Sequence, residues 1–179
     1  LQRLVNDLVD VGRLTNGKLH LTIEPTDLAA VAREAVEIER AAASEYPLRL
    51  EGASGPLIVR GDPTRLRQVL LNLLNNALTH APGSPVEVSV RSEPSTAAVQ
   101  VQDHGPGIAP EALPHLFKRF YQATDAGLLP TTGMGLGLYI AREIVEALGG
   151  EITVRSEVGD GAAFTVRLPL MEQADPGAN

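Results

Sequence analysis

The chain has 179 residues, of which 44% are hydrophobic and 21% charged, and its formal net charge is −7. It is long enough for one domain of full size. Its negative net charge argues against a protein that binds nucleic acid through its overall electrostatic field. No apolar run approaches the roughly 20 residues needed to span a bilayer, and the lack of cysteine excludes disulfides and thiolate metal sites. The composition fits a reducing cytosol, and the start at Leu1 suggests a fragment of a longer protein.

The first segment predicts the end of an amphipathic helix over residues 1–15. Its apolar residues recur at helical spacing and form one narrow seam, made of Leu1, Leu4, Leu8 and Val11. A helix this short is marginal alone, so the seam needs a partner. That partner is missing upstream chain, a second subunit or the chain's own domain.

Periodicity and capping residues then predict alternating helices and strands. The predicted helices span residues 28–46, 63–80 and 135–148. The predicted strands span residues 19–23, 48–50, 57–59, 86–90, 96–103, 151–155 and 163–168. A loop-rich stretch reaches to about residue 132, and residues 171–179 are predicted to be a disordered tail. This order predicts a two-layer α/β sandwich, with one mixed, largely antiparallel sheet and helices on one face.

The strand at 96–103 places a carboxylate on its inward face. Asp103 shares its parity with Ala97, Val99 and Val101, and a buried carboxylate without a partner is costly. Gly105 and the nearby Gly107 let the backbone turn sharply and allow a flat ligand to approach. An Asp acceptor in an apolar wall suits an exocyclic amine such as adenine N6, although an ordinary turn capped by the Asp explains this motif alone equally well.

The helix at 63–80 carries polar residues beside its buried stripe. Asn72, Asn76 and His80 lie one helical turn apart. Amide oxygens are neutral, hard ligands that suit a Mg²⁺ ion already carrying phosphate oxygens. The alternative is a solvated polar face.

Alternating glycines lead into the last predicted helix. Gly133, Gly135 and Gly137 precede a strongly apolar stretch, and N–H groups at a helix N-terminus form an anion site. The pattern lacks the Gly-Lys-Ser/Thr of a Walker A loop and the preceding strand of a Rossmann fingerprint. Upstream, Arg119 lies among aromatic residues that anchor a short helix, and an Arg at a γ-phosphate can stabilise charge during transfer.

Taken together and in this order, these segments resemble the catalytic ATP-binding domain of two-component sensor histidine kinases. That family belongs to the ATPase superfamily that also holds the gyrase, Hsp90 and mismatch-repair ATPases. Five segments carry the resemblance: the N box at 67–77, a first glycine box at 103–107, the F box at 116–121, a second glycine box at 133–138 and a last one at 159–164. It covers roughly residues 19–170, and residues 1–18 are similar to the end of the second helix of the dimerisation and phosphoacceptor domain.

The resemblance implies a Bergerat-type ATP-binding fold with ATP and Mg²⁺ as cofactors. By matching positions, Asp103 would bind the adenine amine, Gly107 would line the base, and Asn76 with Asn72 would hold Mg²⁺. The three glycines of the second glycine box would cradle the phosphates, beneath a lid spanning about residues 108–134. Further predicted contacts to the nucleotide are His80, Gly105, Ile108, Gly133, Gly135, Leu136, Gly137 and Leu138.

Four positions depart from the family's pattern. Thr79 stands where Lys or Arg is common after the N box, and His80 stands where a ring often packs on adenine. Ala162 replaces the usual Thr or Ser of the last glycine box, and Lys118 replaces a common Glu of the F box. Thr79 and Ala162 keep open a second interpretation, a degenerate kinase that acts as an interaction module.

The implied chemistry is transfer of the ATP γ-phosphoryl group to a histidine on the dimerisation domain of the same protein, followed by relay to a response regulator receiver domain. No histidine of this chain lies in a His-Glu/Asp-x-x-x-Pro segment, so we expect the acceptor upstream. We expect a homodimeric cytoplasmic parent, with membrane anchoring left open, and a monomeric fragment. The rival is an ATP-hydrolysing member of the superfamily, but Asn72 stands where those enzymes place a Glu base, and it cannot take a proton.

Overall fold

The computed structural model describes Gly12 and residues 20–42, 47–52, 55–122 and 134–171. Its α-helices are α1 (Leu28–Ala42), α2 (Pro63–His80) and α3 (Gly137–Ala147). Its strands are β1 (Glu24–Asp27), β2 (Leu48–Gly52), β3 (Ile58–Gly61), β4 (Val86–Ser92), β5 (Thr96–Asp103), β6 (Glu151–Ser156) and β7 (Ala162–Pro169). The predicted helix at 1–15 apart from Gly12, all but the first residue of the predicted tail, and the lid residues 123–133, which include Gly133, lie outside the described residues.

The main sheet has five strands in the order β2-β4-β5-β7-β6. The strands β2 and β4 are parallel, and the other neighbouring pairs are antiparallel. The strands β1 and β3 form a separate antiparallel ribbon, which is joined to the end of β7 by a bridge between Val59 and Leu170.

One face of this sheet packs against the helices. Residues such as Val88 and Val99 are buried there together with the apolar faces of α1, α2 and α3. The opposite face is polar, and the Gln100 side chain donates to the Thr165 hydroxyl at 3.1 Å across β5 and β7. The predicted two-layer α/β sandwich, with a mixed sheet and helices on one face, is confirmed.

The helix α2 begins where its sequence predicts. Asp62 is its N-cap, and one oxygen of its side chain accepts the N–H of Arg65 at 3.1 Å, while Pro63 follows as the first helical residue. The predicted stripe is fully buried and consists of Leu66, Leu70, Leu73, Leu74 and Ala77. This stripe fixes the rotation of α2 and therefore the direction in which its polar residues point.

The strand predicted at 19–23 is wrong for residues 20–23, which form no strand. Pairing begins at Glu24, opposite Gly61. The N–H of Thr22 donates to the Asp62 carboxylate at 2.9 Å, so a side chain 40 residues away holds this backbone in place of a neighbouring strand. Alternating apolar residues predicted a strand here, but Ile23 is 44% exposed.

Candidate functional site

The strand β5 ends at a buried carboxylate. Asp103 is 4% exposed, on the inward side of the strand that parity predicts. Its Oδ1 accepts the N–H of Gly105 at 2.9 Å and the N–H of Ala162 at 3.3 Å. Both hydrogen bonds go to one oxygen, so the side chain is held in place while Oδ2 can accept a further donor.

Two glycines allow the backbone around Asp103 to pack without a gap. Gly107 has a φ of 73°, and a Cβ there would overlap the carbonyl oxygen of Glu157. Gly161 has a φ of 78°, and a Cβ there would overlap the carbonyl oxygen of Asp103 itself. The first and last glycine boxes are therefore in direct backbone contact.

A serine stabilises the contact between the two glycine boxes through hydrogen bonds. The Ser156 hydroxyl accepts the N–H of Ile108 at 2.9 Å and donates to the carbonyl oxygen of Gly161 at 2.5 Å. The N–H of Gly159 donates to the carbonyl oxygen of Pro106 at 2.7 Å. Ile108, a predicted nucleotide contact, thus has a backbone that Ser156 ties to the last glycine box.

The helix α2 runs past both glycine-rich segments. At its C-terminal end, the carbonyl oxygen of His80 and the side chain of Ala81 lie against Gly105. Nearer its middle, the Asn72 amide nitrogen donates to the carbonyl oxygen of Gly137 at 3.1 Å. The contacts at Asn72 and His80 are eight residues apart on α2, or roughly 12 Å at 1.5 Å per residue. An elongated ligand can therefore lie along α2 from Asp103 to the start of α3.

The amides of α2 fit a cation that arrives with its own oxygen ligands. Asn72 is 6% exposed, and its nitrogen is directed at Gly137, which orients its amide. Asn76 lies one turn further along and is half-buried. Among the described residues, no group of three or more His, Cys, Asp or Glu side chains could hold a metal ion. Two neutral amides fit a Mg²⁺ ion that keeps phosphate and water oxygens as its other ligands.

The helix α3 begins at Gly137, two residues later than predicted. Gly135 has a φ of 65°, which is incompatible with a right-handed helix. Leu136 is 1% exposed and Leu138 is half-buried, so both anchor this end of the helix in the core. The first N–H groups of α3 have no partner within the helix, which is the condition for an anion site.

Arg119 lies against this helix. Its Nη2 donates to the Tyr139 hydroxyl at 2.7 Å, and its Cζ lies 4.7 Å from the centroid of the Tyr139 ring. Tyr139 is the third residue of α3. The sequence predicted that Arg119 serves the phosphates but did not predict Tyr139 as its partner.

The positions that depart from the family's pattern divide into two groups. Thr79, His80 and Lys118 are exposed. Ala162 is buried and reaches Asp103 through its backbone N–H, a contact that does not depend on its side chain. Sequence reasoning missed this contact and the role of Ser156 because the partners are distant in the chain and no local motif marks them.

Comparison with known families gives one match that covers well over half of the chain. The family described as "Histidine kinase-, DNA gyrase B-, and HSP90-like ATPase" matches residues 61–172. Signal transduction histidine-protein kinase AfsQ2 of Streptomyces coelicolor is 40% identical over 169 residues, which are 94% of this chain and 30% of that protein. Probable sensor histidine kinase TcrY of Mycobacterium tuberculosis is 36% identical over 171 residues, 95% of this chain and 36% of that protein. The chain thus spans about a third of the length of these relatives.

Solved structures agree with the sequence relatives. Full-length ShkA in complex with AMPPNP superposes with a TM-score of 0.81 at 30% identity, covering 97% of this chain and 36% of that one. Mycobacterial sensor histidine kinase MprB superposes with a TM-score of 0.73 at 29% identity, covering 85% of this chain and all of that one. Among the described residues, no helix is long and apolar enough to cross a membrane.

Proposed function

Because the chain belongs to the family of histidine kinase-, DNA gyrase B- and HSP90-like ATPases, and its relatives are sensor histidine kinases, we propose that it binds Mg-ATP and donates the γ-phosphoryl group to a histidine. That histidine belongs to a dimerisation domain of the same protein, joined to this domain through residues 1–18. A response regulator receiver domain then accepts the phosphoryl group. The domain acts in the cytoplasm as part of a homodimeric parent.

One observation carries the proposal: an acceptor suited to the adenine amino group and a set of N–H donors suited to phosphates both lie beside α2. Asp103 lies near the C-terminal end of α2, and the N-terminus of α3 lies beside Asn72. A turn capped by Asp103 would explain the first site alone, but it would not explain why a helix N-terminus and two amides lie along the same helix α2.

Each group has a distinct task in the proposed reaction. Oδ2 of Asp103 accepts a hydrogen bond from the adenine amino group, which fixes the base. The N–H groups at Gly137 and Leu138 hold the phosphates, and Arg119 faces the γ-phosphoryl group as its charge is redistributed. The histidine nitrogen forms a bond to the γ-phosphorus while the bond from that phosphorus to the β–γ bridging oxygen breaks, and ADP leaves. The enzyme's share is positioning and charge neutralisation.

Asn72 and Asn76 would hold the Mg²⁺ ion, which neutralises phosphate charge when bound. Asn72 does not serve as a general base for water, because an amide has no basic site at neutral pH. The site therefore favours donation to an acceptor over hydrolysis.

The direct test compares this chain with the parent kinase. With labelled ATP, the 179-residue chain alone should acquire no acid-labile phosphate, because the acceptor lies outside it. Adding the upstream region should restore labelling. A longer protein that binds ATP but acquires no acid-labile phosphate would contradict the kinase proposal, as would rapid ATP hydrolysis by the chain without an acceptor.

A second test separates Mg²⁺ binding from folding. Asn76→Ala should abolish the Mg²⁺ dependence of ATP affinity and leave the unfolding midpoint nearly unchanged, because the side chain is half-buried. Asn75→Ala is the matched control on the same helix, since Asn75 donates to Glu39 of α1 at 2.6 Å. It should lower stability and keep the Mg²⁺ dependence. Unchanged Mg-ATP affinity in Asn76→Ala would refute its role.

A further inference from the structure

The contact between Arg119 and Tyr139 is unusually well defined for a side chain at the surface. Arg119 is exposed, but its guanidinium group both donates to the Tyr139 hydroxyl and lies over the ring. Tyr139 is only 7% exposed, so its ring is held rigidly by the core. A hydrogen bond from a charged donor and a cation–π contact act on the same guanidinium group. An arginine that served only solubility would not need both.

A neighbouring backbone contact holds Arg119 at this place. The N–H of Phe120 donates to the carbonyl oxygen of Gly135 at 3.1 Å. Phe120 has a φ of 60°, the only positive φ of a non-glycine residue in the described part of the chain. Such a backbone is costly and persists only where surrounding contacts enforce it. The chain is therefore turned sharply just after Arg119 and fixed to the segment that precedes α3.

The direction of the Tyr139 side chain places the guanidinium group near the N-terminus of α3. Side chains of an α-helix lean toward its N-terminus, and Tyr139 is the third residue of the helix. Its hydroxyl group, and the cation bound to it, therefore lie on the side of the first turn. An anion bound at this end of the helix would be attracted both by the helix dipole and by the Arg119 guanidinium group.

We propose that Tyr139 is a positioning residue: its hydroxyl group holds the Arg119 guanidinium group against the terminal phosphate of bound ATP. The inference rests on the proposed function and adds a residue that acts through Arg119 without touching the nucleotide. ATP and ADP differ by that terminal phosphate. The contact between Tyr139 and Arg119 thus determines how well the site distinguishes ATP from ADP.

The test measures ATP and ADP affinities of the 179-residue chain by titration calorimetry in excess Mg²⁺. Tyr139→Phe removes the hydroxyl group and keeps the ring. It should raise the Kd for ATP about three- to tenfold, less than the full contribution of a hydrogen bond to a charged group, because the hydroxyl group acts on the phosphate only through Arg119. The Kd for ADP should not change. Arg119→Gln should raise the Kd for ATP further, and adding Tyr139→Phe to it should have no additional effect, because both act through one contact.

Arg142→Gln is the control for removing a cation. Arg142 is an exposed residue of the same helix that pairs with Glu146 at 2.6 Å, and its loss should leave both affinities unchanged. An ATP affinity of Tyr139→Phe equal to the wild type would overturn the inference. So would an equal loss for ADP, or a lowered unfolding midpoint that accounts for the effect, since a merely structural tyrosine would give either. A wild-type chain that binds neither nucleotide would instead contradict the proposed function.

Discussion

Replacing Asp103 with Asn changes one atom at the centre of the proposed adenine site. Oδ1 of Asp103 already accepts two backbone N–H groups, from Gly105 and Ala162. The amide oxygen of Asn can accept both, so the local backbone should survive. The amide nitrogen then replaces Oδ2 and presents a donor where the adenine amino group also presents a donor.

The magnitude follows from the type of hydrogen bond that is lost. A hydrogen bond to a charged group contributes about 1.5–3 kcal/mol, which is roughly a 10- to 140-fold loss of ATP affinity at 1.4 kcal/mol per tenfold. The free energy of unfolding should fall by only about 1 kcal/mol, because both backbone hydrogen bonds remain but lose their charged acceptor. Asp103→Asn should therefore affect binding far more than stability.

The assay is titration calorimetry with ATP and with inosine triphosphate, alongside chemical denaturation. Inosine has a carbonyl oxygen in place of the adenine amino group, so it can accept from the new amide nitrogen. Asp103→Asn should lower the affinity for ATP and raise the affinity for inosine triphosphate relative to the wild type. Glu151→Gln removes one negative charge at an exposed position of β6 and should alter neither affinity. An Asp103→Asn chain that binds ATP as tightly as the wild type would refute the assignment of Asp103 to the base.

Two further predictions concern stability, and both are checked by chemical denaturation. Gly107→Ala should lower the free energy of unfolding by more than about 2 kcal/mol, because the added methyl group meets the Glu157 carbonyl oxygen. Gly149 has a similar φ of 74°, but an added Cβ there has no atom within 4 Å, so Gly149→Ala should lower it by only about 1 kcal/mol. Equal losses would show that the backbone conformation alone accounts for the effect. The Thr96 hydroxyl, helped by nearby arginines, holds the pKa of the Glu93 carboxyl below its ordinary value of 4.5. The carboxylate therefore stabilises the fold above pH 4.5, and this contribution is lost as the pH falls through the lowered pKa of the folded state. Glu93→Gln should make the free energy of unfolding fall less steeply with acid. The same dependence on pH in the variant and the wild type would contradict this.

Much of the fold follows from local patterns. Asp62 and Pro63 define the start of α2, and the apolar alternation of β5 turns Asp103 inward, because capping and side-chain periodicity depend on neighbouring residues. The strand predicted at 19–23 shows the limit. Its alternation was genuine, but the Asp62 carboxylate, distant in the chain, binds the Thr22 N–H.

The candidate site divides in the same way. Its glycines and amides were visible in the sequence as boxes, and the family match at residues 61–172 covers all five boxes in full. Individual roles at the site remain predictions. These boxes are distant in the chain and meet only in the folded molecule, where Gly161 touches Asp103 and Asn72 bonds to Gly137.

By itself, the sequence determined which residues have the right chemistry: an inward Asp103, the amides of α2 and a glycine-rich entry to α3. Only the tertiary structure decided their partners. Sheet order brings the N–H of Ala162 to Asp103 across 59 residues, and helix packing brings Tyr139 to Arg119. Local periodicity fixes the direction of a side chain, whereas the group that it meets depends on how distant segments pack.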